Sequence, residues 1–156
     1  MVLLFVFMDF TSVLDEIKPT KKEERELADA VRDVLRKIKI PQAKPILGGS
    51  GGKQTWLRHT HDIDIYVTFS WKRYAHHSPE LSDILQRALK KSFPKITRLH
   101  GSRDYFQLRY KDFMFEIVPI LDIKKPDDAR NTTDFSRLHV EYVLKHVRKN
   151  KKMSDE

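Results

Sequence analysis

The chain has 156 residues, 40% of them hydrophobic and 10% aromatic, a size and composition that fit one domain with one core and exclude a disordered tail. It has no cysteine, which excludes disulfide frameworks, thiolate zinc sites and cysteine nucleophiles and fits a reducing, cytoplasmic setting. Thirty Lys and Arg against 22 Asp and Glu give a formal charge of +8, which favours polyanionic partners because each neutralised phosphate releases condensed counterions.

Residues 1–8 are an apolar run, including Val2, Leu3, Leu4, Phe5, Val6 and Phe7, too short to span a bilayer and without the basic leader of a secretory signal. The run reads as a docked extension or as sequence upstream of the true start, and no other segment looks membrane-bound. Residues 10–17 are expected to form a short helix ending before Pro19. A longer helix is expected over 20–38: Thr20 and Glu23 have capping-box spacing, and Leu27, Val31, Val34, Leu35 and Ile38 make one apolar stripe. Residues 43–47 read as a short strand, broken by a stretch at 48–52 that holds four of the five glycines. Residues 62–69 read as a strand. Ser78 and Pro79 look like a cap and first helical position for a second amphipathic helix, with Leu81, Ile84, Leu85, Ala88 and Leu89 on one face, ending near Pro94. Runs at 96–100, 105–110 and 113–121 are strand-like, the last two joined through a tight turn at Lys111 and Asp112. A final helix is expected to begin between Phe135 and His139 and to end in a basic tail over 148–156, read as a solvated, frayed end. The order predicts a single α+β domain over 1–156, a mixed sheet with helices packed mainly on one side.

Asp62 and Asp64, two apart on a strand, point to the same face, with Ile63 and Ile65 directed into the core. Two adjacent carboxylates repel unless a cation lies between them, although D-x-D alone also describes a solvated acidic edge strand. Two further features favour a site. Gly49 and Ser50 open a glycine-rich turn after a strand, suited to phosphate oxygens. A third acid, Glu116, sits inside the apolar run Phe113-Met114-Phe115-Glu116-Ile117-Val118, where a carboxylate needs a partner and a metal ion is one. A phosphate-gripping turn, paired aspartates and a third acid on another strand make a two-metal phosphoryl-transfer arrangement.

Gly49-Ser50, eleven residues, then Asp62-Ile63-Asp64-Ile65 resembles the signature of the DNA polymerase β nucleotidyltransferase superfamily. The stretch from Gly49 through Leu57 to Asp64 is similar to the catalytic head of archaeal (class I) tRNA CCA-adding enzymes, which rebuild the 3′ end of tRNA. Phe115-Glu116-Ile117-Val118-Pro119 resembles that family's third-carboxylate strand, and residues 134–142 resemble its D-x-T-P-x-H stretch, the likeness extending over roughly residues 10–150. Two departures stand out: Lys53 replaces the usual arginine, losing its bidentate fork, and Ser136-Arg137 replaces the threonine-proline pair.

The resemblance implies a polymerase β-like fold and an enzyme of the EC 2.7.7 class that moves NMP from an NTP (ATP and/or CTP) to an RNA 3′-hydroxyl, with tRNA 3′ ends as the expected acceptor. Asp62, Asp64 and Glu116 are the expected catalytic and metal residues, holding two Mg²⁺ ions for which Mn²⁺ can substitute. Gly49, Ser50 and Lys53 are expected on the phosphates, as are His139, Tyr142 and Lys145. The family's domains after the head lie outside this sequence, so a partner subunit or homo-oligomer is an expected complement. Trp56 is open between base stacking and core packing; the His59-Thr60-His61 triplet is not needed as ligand beside all-oxygen donors, and His76 and His77 read as loop surface. The alternatives are an antitoxin-type enzyme that adenylylates a protein hydroxyl, and a non-catalytic RNA-binding module.

Overall fold

A computed structural model describes the backbone of residues 10–59 and 62–154; the apolar start of the chain and two of the triplet's residues, Thr60 and His61, lie outside it. Helix α1 (Phe10–Ile17) leads into α2 (Lys21–Lys37). Thr20 caps α2, its hydroxyl accepting from the Glu23 N–H at 3.2 Å while the Glu23 carboxylate accepts from the Thr20 N–H at 2.7 Å. Strand β1 (Ala43–Leu47) is followed by the one-turn helix α3 (Gly49–Lys53) and by β2 (Asp62–Ser70).

Next come a short helix α4 (Trp71–Tyr74), a 3-10 turn (Ala75–Glu80) and α5 (Leu81–Ser92). This corrects the reading of Ser78 and Pro79 as the start of that helix: both lie within the 3-10 turn, and Glu80 is the N-cap residue. The Ser78 hydroxyl is buried and accepts from the Arg103 guanidinium at 2.7 Å, a tertiary bond that overrides its capping preference. Strands β3 (Thr97–Leu99), β4 (Tyr105–Tyr110) and β5 (Phe113–Asp122) complete the sheet, with Lys111 in the left-handed region at the β4–β5 turn. Helix α6 (Ser136–Ser154) closes the described chain and runs on through the basic stretch. None of the described helices is long and apolar enough to cross a membrane.

The sheet order is β1-β2-β5-β4-β3, with β2 and β5 parallel at its centre and the other pairs antiparallel. Pro45, which cannot donate to a ladder, is tolerated because β1 is an edge strand. Alternation sends Ile63, Ile65, Val67 and Phe69 of β2 and Phe115, Ile117 and Leu121 of β5 to one face. There they form the core with Leu27, Ala30, Val31 and Val34 of α2 and Leu81, Leu85 and Leu89 of α5. Truncating a fully buried leucine such as Leu85 to alanine costs about 2–5 kcal/mol. The opposite face carries Asp62, Asp64 and Glu116, and the architecture is the expected α+β mixed sheet.

Candidate active site

The parallel pairing of β2 and β5 sets Asp64 opposite Glu116, and the antiparallel pairing of β4 and β5 sets Gln107 opposite Glu116. A polar row therefore crosses three strands, Asp64–Glu116–Gln107, on the face away from the core. Asp62 lies two residues before Asp64 on the same side of β2, more exposed, beside Met114. Asp64 is only half-exposed. Burial raises its carboxyl above the usual aspartate range, and the charges of Glu116 and then Asp62 push the same way, with Lys53 opposing them. Lys53, at the end of α3, is thus already close enough to act on Asp64.

Glu116 is held by Gln107, whose amide Nε2 donates to Oε1 at 2.9 Å. Among the described residues, no three His, Cys, Asp or Glu side chains are gathered as they stand into a ready metal cage. Register nevertheless sets Asp64 beside Glu116, with Asp62 two residues away on the same side of β2. Its chemistry suits a hard cation: the donors are all carboxylate oxygens, and Asp64 carries a charge that burial and its neighbours disfavour.

The glycine turn packs directly on this row. Gly48 donates its N–H to the Asp64 carbonyl at 2.8 Å, and a side chain there would run into the Tyr66 ring. Gly49 has φ +49°, and a Cβ on it would overlap the Asp64 carboxylate. Any side chain at 49 would displace Asp64, so the glycines are required by close approach as well as by φ. The Gly49 N–H donates to the Tyr66 hydroxyl at 3.3 Å. Burial raises the pKa of that hydroxyl most, while the bond from Gly49 opposes the shift. Ser50 is half-buried in the first turn of α3.

Helix α6 packs on α3, where Val140 Cγ1 would lie 3.4 Å from a Cβ at Gly52. His139, Tyr142 and Lys145 are exposed along α6, and the Tyr142 ring lies against His146 with centroids 3.9 Å apart. The structure thus brings Gly49, Ser50, Lys53, Asp64 and Glu116 together, with Asp62 beside them. His139 is one turn beyond Ser136, while Tyr142 and Lys145 lie further along the helix. Trp56 packs against the core and lines an apolar groove of about 1140 Å³ between α1, α2 and α3, a groove that none of the three carboxylates lines. His59 has a left-handed φ of 62°, and His76 and His77 are exposed, as expected, though in the 3-10 turn.

Sequence reasoning missed four residues. Tyr66 follows Asp62 and Asp64 at the same spacing of two, which would have placed it on the site face. Gln107 is a lone amide in an alternating strand. Arg103 and Asp134 form a buried ion pair at 2.5 Å, with relative exposures of 7% and 0%. Arg103 also donates to the Pro119 carbonyl, and Asp134 accepts from the N–H groups of Leu121, Arg130 and Asn131. Asp134, the first residue of the family-like stretch, thus anchors the start of α6 to β5. Arg137, standing where that family has proline, pairs with Asp122 and Glu141. Arg98 is paired with Asp83 and Asp104.

The chain is similar to part of archaeal CCA-adding enzymes, and it shares its fold with solved RNA terminal transferases. It is 40% identical over 131 residues to the CCA-adding enzyme of Nanoarchaeum equitans, covering 82% of this chain and 32% of that enzyme. To the CCA-adding enzyme of Pyrococcus horikoshii it is 28% identical over 143 residues, covering 87% and 32%. The chain spans about a third of the length of the curated relatives it matches. No protein-family model matches it. Among solved structures, it shares its fold with the Cid1 poly(U) polymerase at TM-score 0.61, 18% identity and coverage of 88% of this chain and 40% of that one. A cytoplasmic RNA terminal U-transferase superposes at TM-score 0.58, with 18% identity and coverage of 88% and 38%.

Proposed function

We propose that this chain is the catalytic unit of an RNA nucleotidyltransferase that transfers NMP from an NTP to an RNA 3′-hydroxyl and releases pyrophosphate. The observation that carries the reading is the close packing of the Gly49 turn on Asp64, with Glu116 paired to Asp64 across the parallel strands. It brings the glycine turn, whose backbone suits phosphate oxygens, and two of the carboxylates to one place.

Asp62 and Asp64 are the residues that would hold divalent ions, with Glu116 completing the set, and Mg²⁺ or Mn²⁺ fits their all-oxygen chemistry. When bound, such ions balance charge on the departing pyrophosphate and lower the pKa of the attacking hydroxyl. The chain's own residues orient the reactants. Gly49 and Ser50 approach the β- and γ-phosphates, Lys53 supplies positive charge there, and His139, Tyr142 and Lys145 on α6 extend the wall that meets the nucleotide. Glu116 accepts the proton of the 3′-hydroxyl, so the O–H bond breaks as the new O–P bond forms and the P–O bond to pyrophosphate opens. The similarity to CCA-adding enzymes supports tRNA 3′ ends as the acceptor class and ATP and/or CTP as the nucleotides. A partner subunit or second copy is the proposed further contributor to RNA binding.

The test incubates pure chain with Mg²⁺ or Mn²⁺, each labelled NTP in turn, and tRNA ending before, within or after CCA. Label at RNA 3′ ends with wild type, and none with an Asp62→Ala, Asp64→Ala double variant, is the expected result. Label entering protein instead of RNA would replace this reading with protein adenylylation, and NTP or RNA binding without any transfer would leave a binding module.

A further inference from the structure

We infer that Gln107 is the positioning residue that fixes Glu116 for its role at the reacting 3′-hydroxyl, an inference that rests on the transferase reading. Gln107 and Asp64 flank Glu116 from opposite sides, one on β4 and one on β2, each in register with it. An ionised carboxylate only accepts, so the amide must present its N–H₂ group, as its 2.9 Å bond to Oε1 requires. With Oε1 engaged by the Gln107 amide, the second oxygen of Glu116 is the one that an ion at this site would take. Gln107 is uncharged, so it orients the third carboxylate without competing with the cation for it as a lysine or arginine would.

The wall that meets the triphosphate is built from other elements, the Gly49 turn, Lys53 and α6. Loss of Gln107 therefore acts on the acceptor side and leaves nucleotide binding intact. Partners that orient metal-binding carboxylates typically matter by about 10–100-fold in metal affinity or activity, and Gln107 falls in that class.

The test compares wild type, Gln107→Leu, which keeps volume and loses the donor, and Gln107→Asn, which keeps the amide one methylene short. Steady-state kinetics with RNA and NTP is run beside calorimetric titration of Mn²⁺ into NTP-free protein. For Gln107→Leu the expected result is a kcat about 10–50-fold lower, KM for NTP within about twofold of wild type, and Mn²⁺ binding about tenfold weaker. Gln107→Asn should show the same split to a smaller degree. Wild-type kcat and Mn²⁺ affinity in Gln107→Leu would overturn the inference. So would parallel loss of KM, kcat and melting temperature, the mark of a merely structural residue. A wild type that transfers no nucleotide would sink the transferase reading, yet the Mn²⁺ titration would still decide whether Gln107 positions Glu116.

Discussion

Gly49 and Asp64 touch so closely that the turn has no room for a β-carbon between them. The contact ties the glycine turn to the Asp64 carboxylate, so neither can shift without the other. Gly49→Ala should therefore fail in two ways. Alanine at φ +49° is strained by roughly 1–2 kcal/mol, and its methyl displaces the Asp64 carboxylate. Because misplacement by about 1 Å can cost roughly 100-fold, nucleotide incorporation should fall by about that factor in a fold that still melts cooperatively. Near-wild-type incorporation would contradict the contact.

Asp64 bears its charge against its surroundings. Its folded pKa is raised, first by burial and then by Glu116 and Asp62. The native state thus binds this proton more tightly than the unfolded chain, so its contribution to stability is present below the ordinary aspartate value of 3.8 and is lost as pH rises through the raised folded value. At neutral pH without divalent ions, Asp64→Asn should raise the melting temperature by about 2–4 °C, the shift expected from roughly 1 kcal/mol in a chain of this size. The gain should vanish at pH 3, and added Mg²⁺ should stabilise wild type but not the variant. A lower melting temperature for the variant at neutral pH would show that Asp64 is not strained in this way.

Tyr66 supports the proposed phosphate-binding turn, its hydroxyl accepting from the Gly49 N–H and its ring lying against Gly48. Tyr66→Phe removes the hydroxyl and keeps the ring that packs on Gly48. A neutral hydrogen bond contributes about 1 kcal/mol, and that is about a fivefold change in affinity. KM for NTP should rise by about that factor while the melting temperature stays within a few degrees. An unchanged KM would remove Tyr66 from the phosphate site.

Arg103 and Asp134 pin the start of α6 to β5. Removing one member of a buried pair leaves the other charged and desolvated, at about 3–5 kcal/mol. Arg103→Leu should therefore lower stability in urea unfolding by about that amount. A change below about 1 kcal/mol would mean that the pair is not buried as described.

Much of this was legible in the sequence because the signals are local. Thr20 and Glu23 sit at capping-box spacing, the α2 stripe recurs at three and four, and Asp62 with Asp64 alternates against Ile63 and Ile65, each fixing an element from within itself. The α+β class and the three carboxylates followed from such patterns. The rest depends on register. Nothing near Gln107 in sequence marks it as the partner of Glu116; only the pairing of β4 with β5 does. Ser78 looked like a cap because its neighbours suited one, and a guanidinium 25 residues away took its hydroxyl instead. Arg103 and Asp134 are 31 residues apart and become partners only when α6 folds back on the sheet.

The central claim is that Asp62, Asp64 and Glu116 form one ion-binding centre facing a triphosphate on the Gly49 turn. Crystals of the chain soaked with Mn²⁺ and a non-hydrolysable NTP analogue, measured at the manganese absorption edge, test it most directly. The account predicts anomalous peaks within ligand distance, about 2.0–2.3 Å, of the Asp62 and Asp64 carboxylates. It also predicts a second ion reaching Glu116 and phosphate oxygens against Gly49 and Ser50. Manganese bound elsewhere, with the analogue's triphosphate away from the glycine turn, would contradict it.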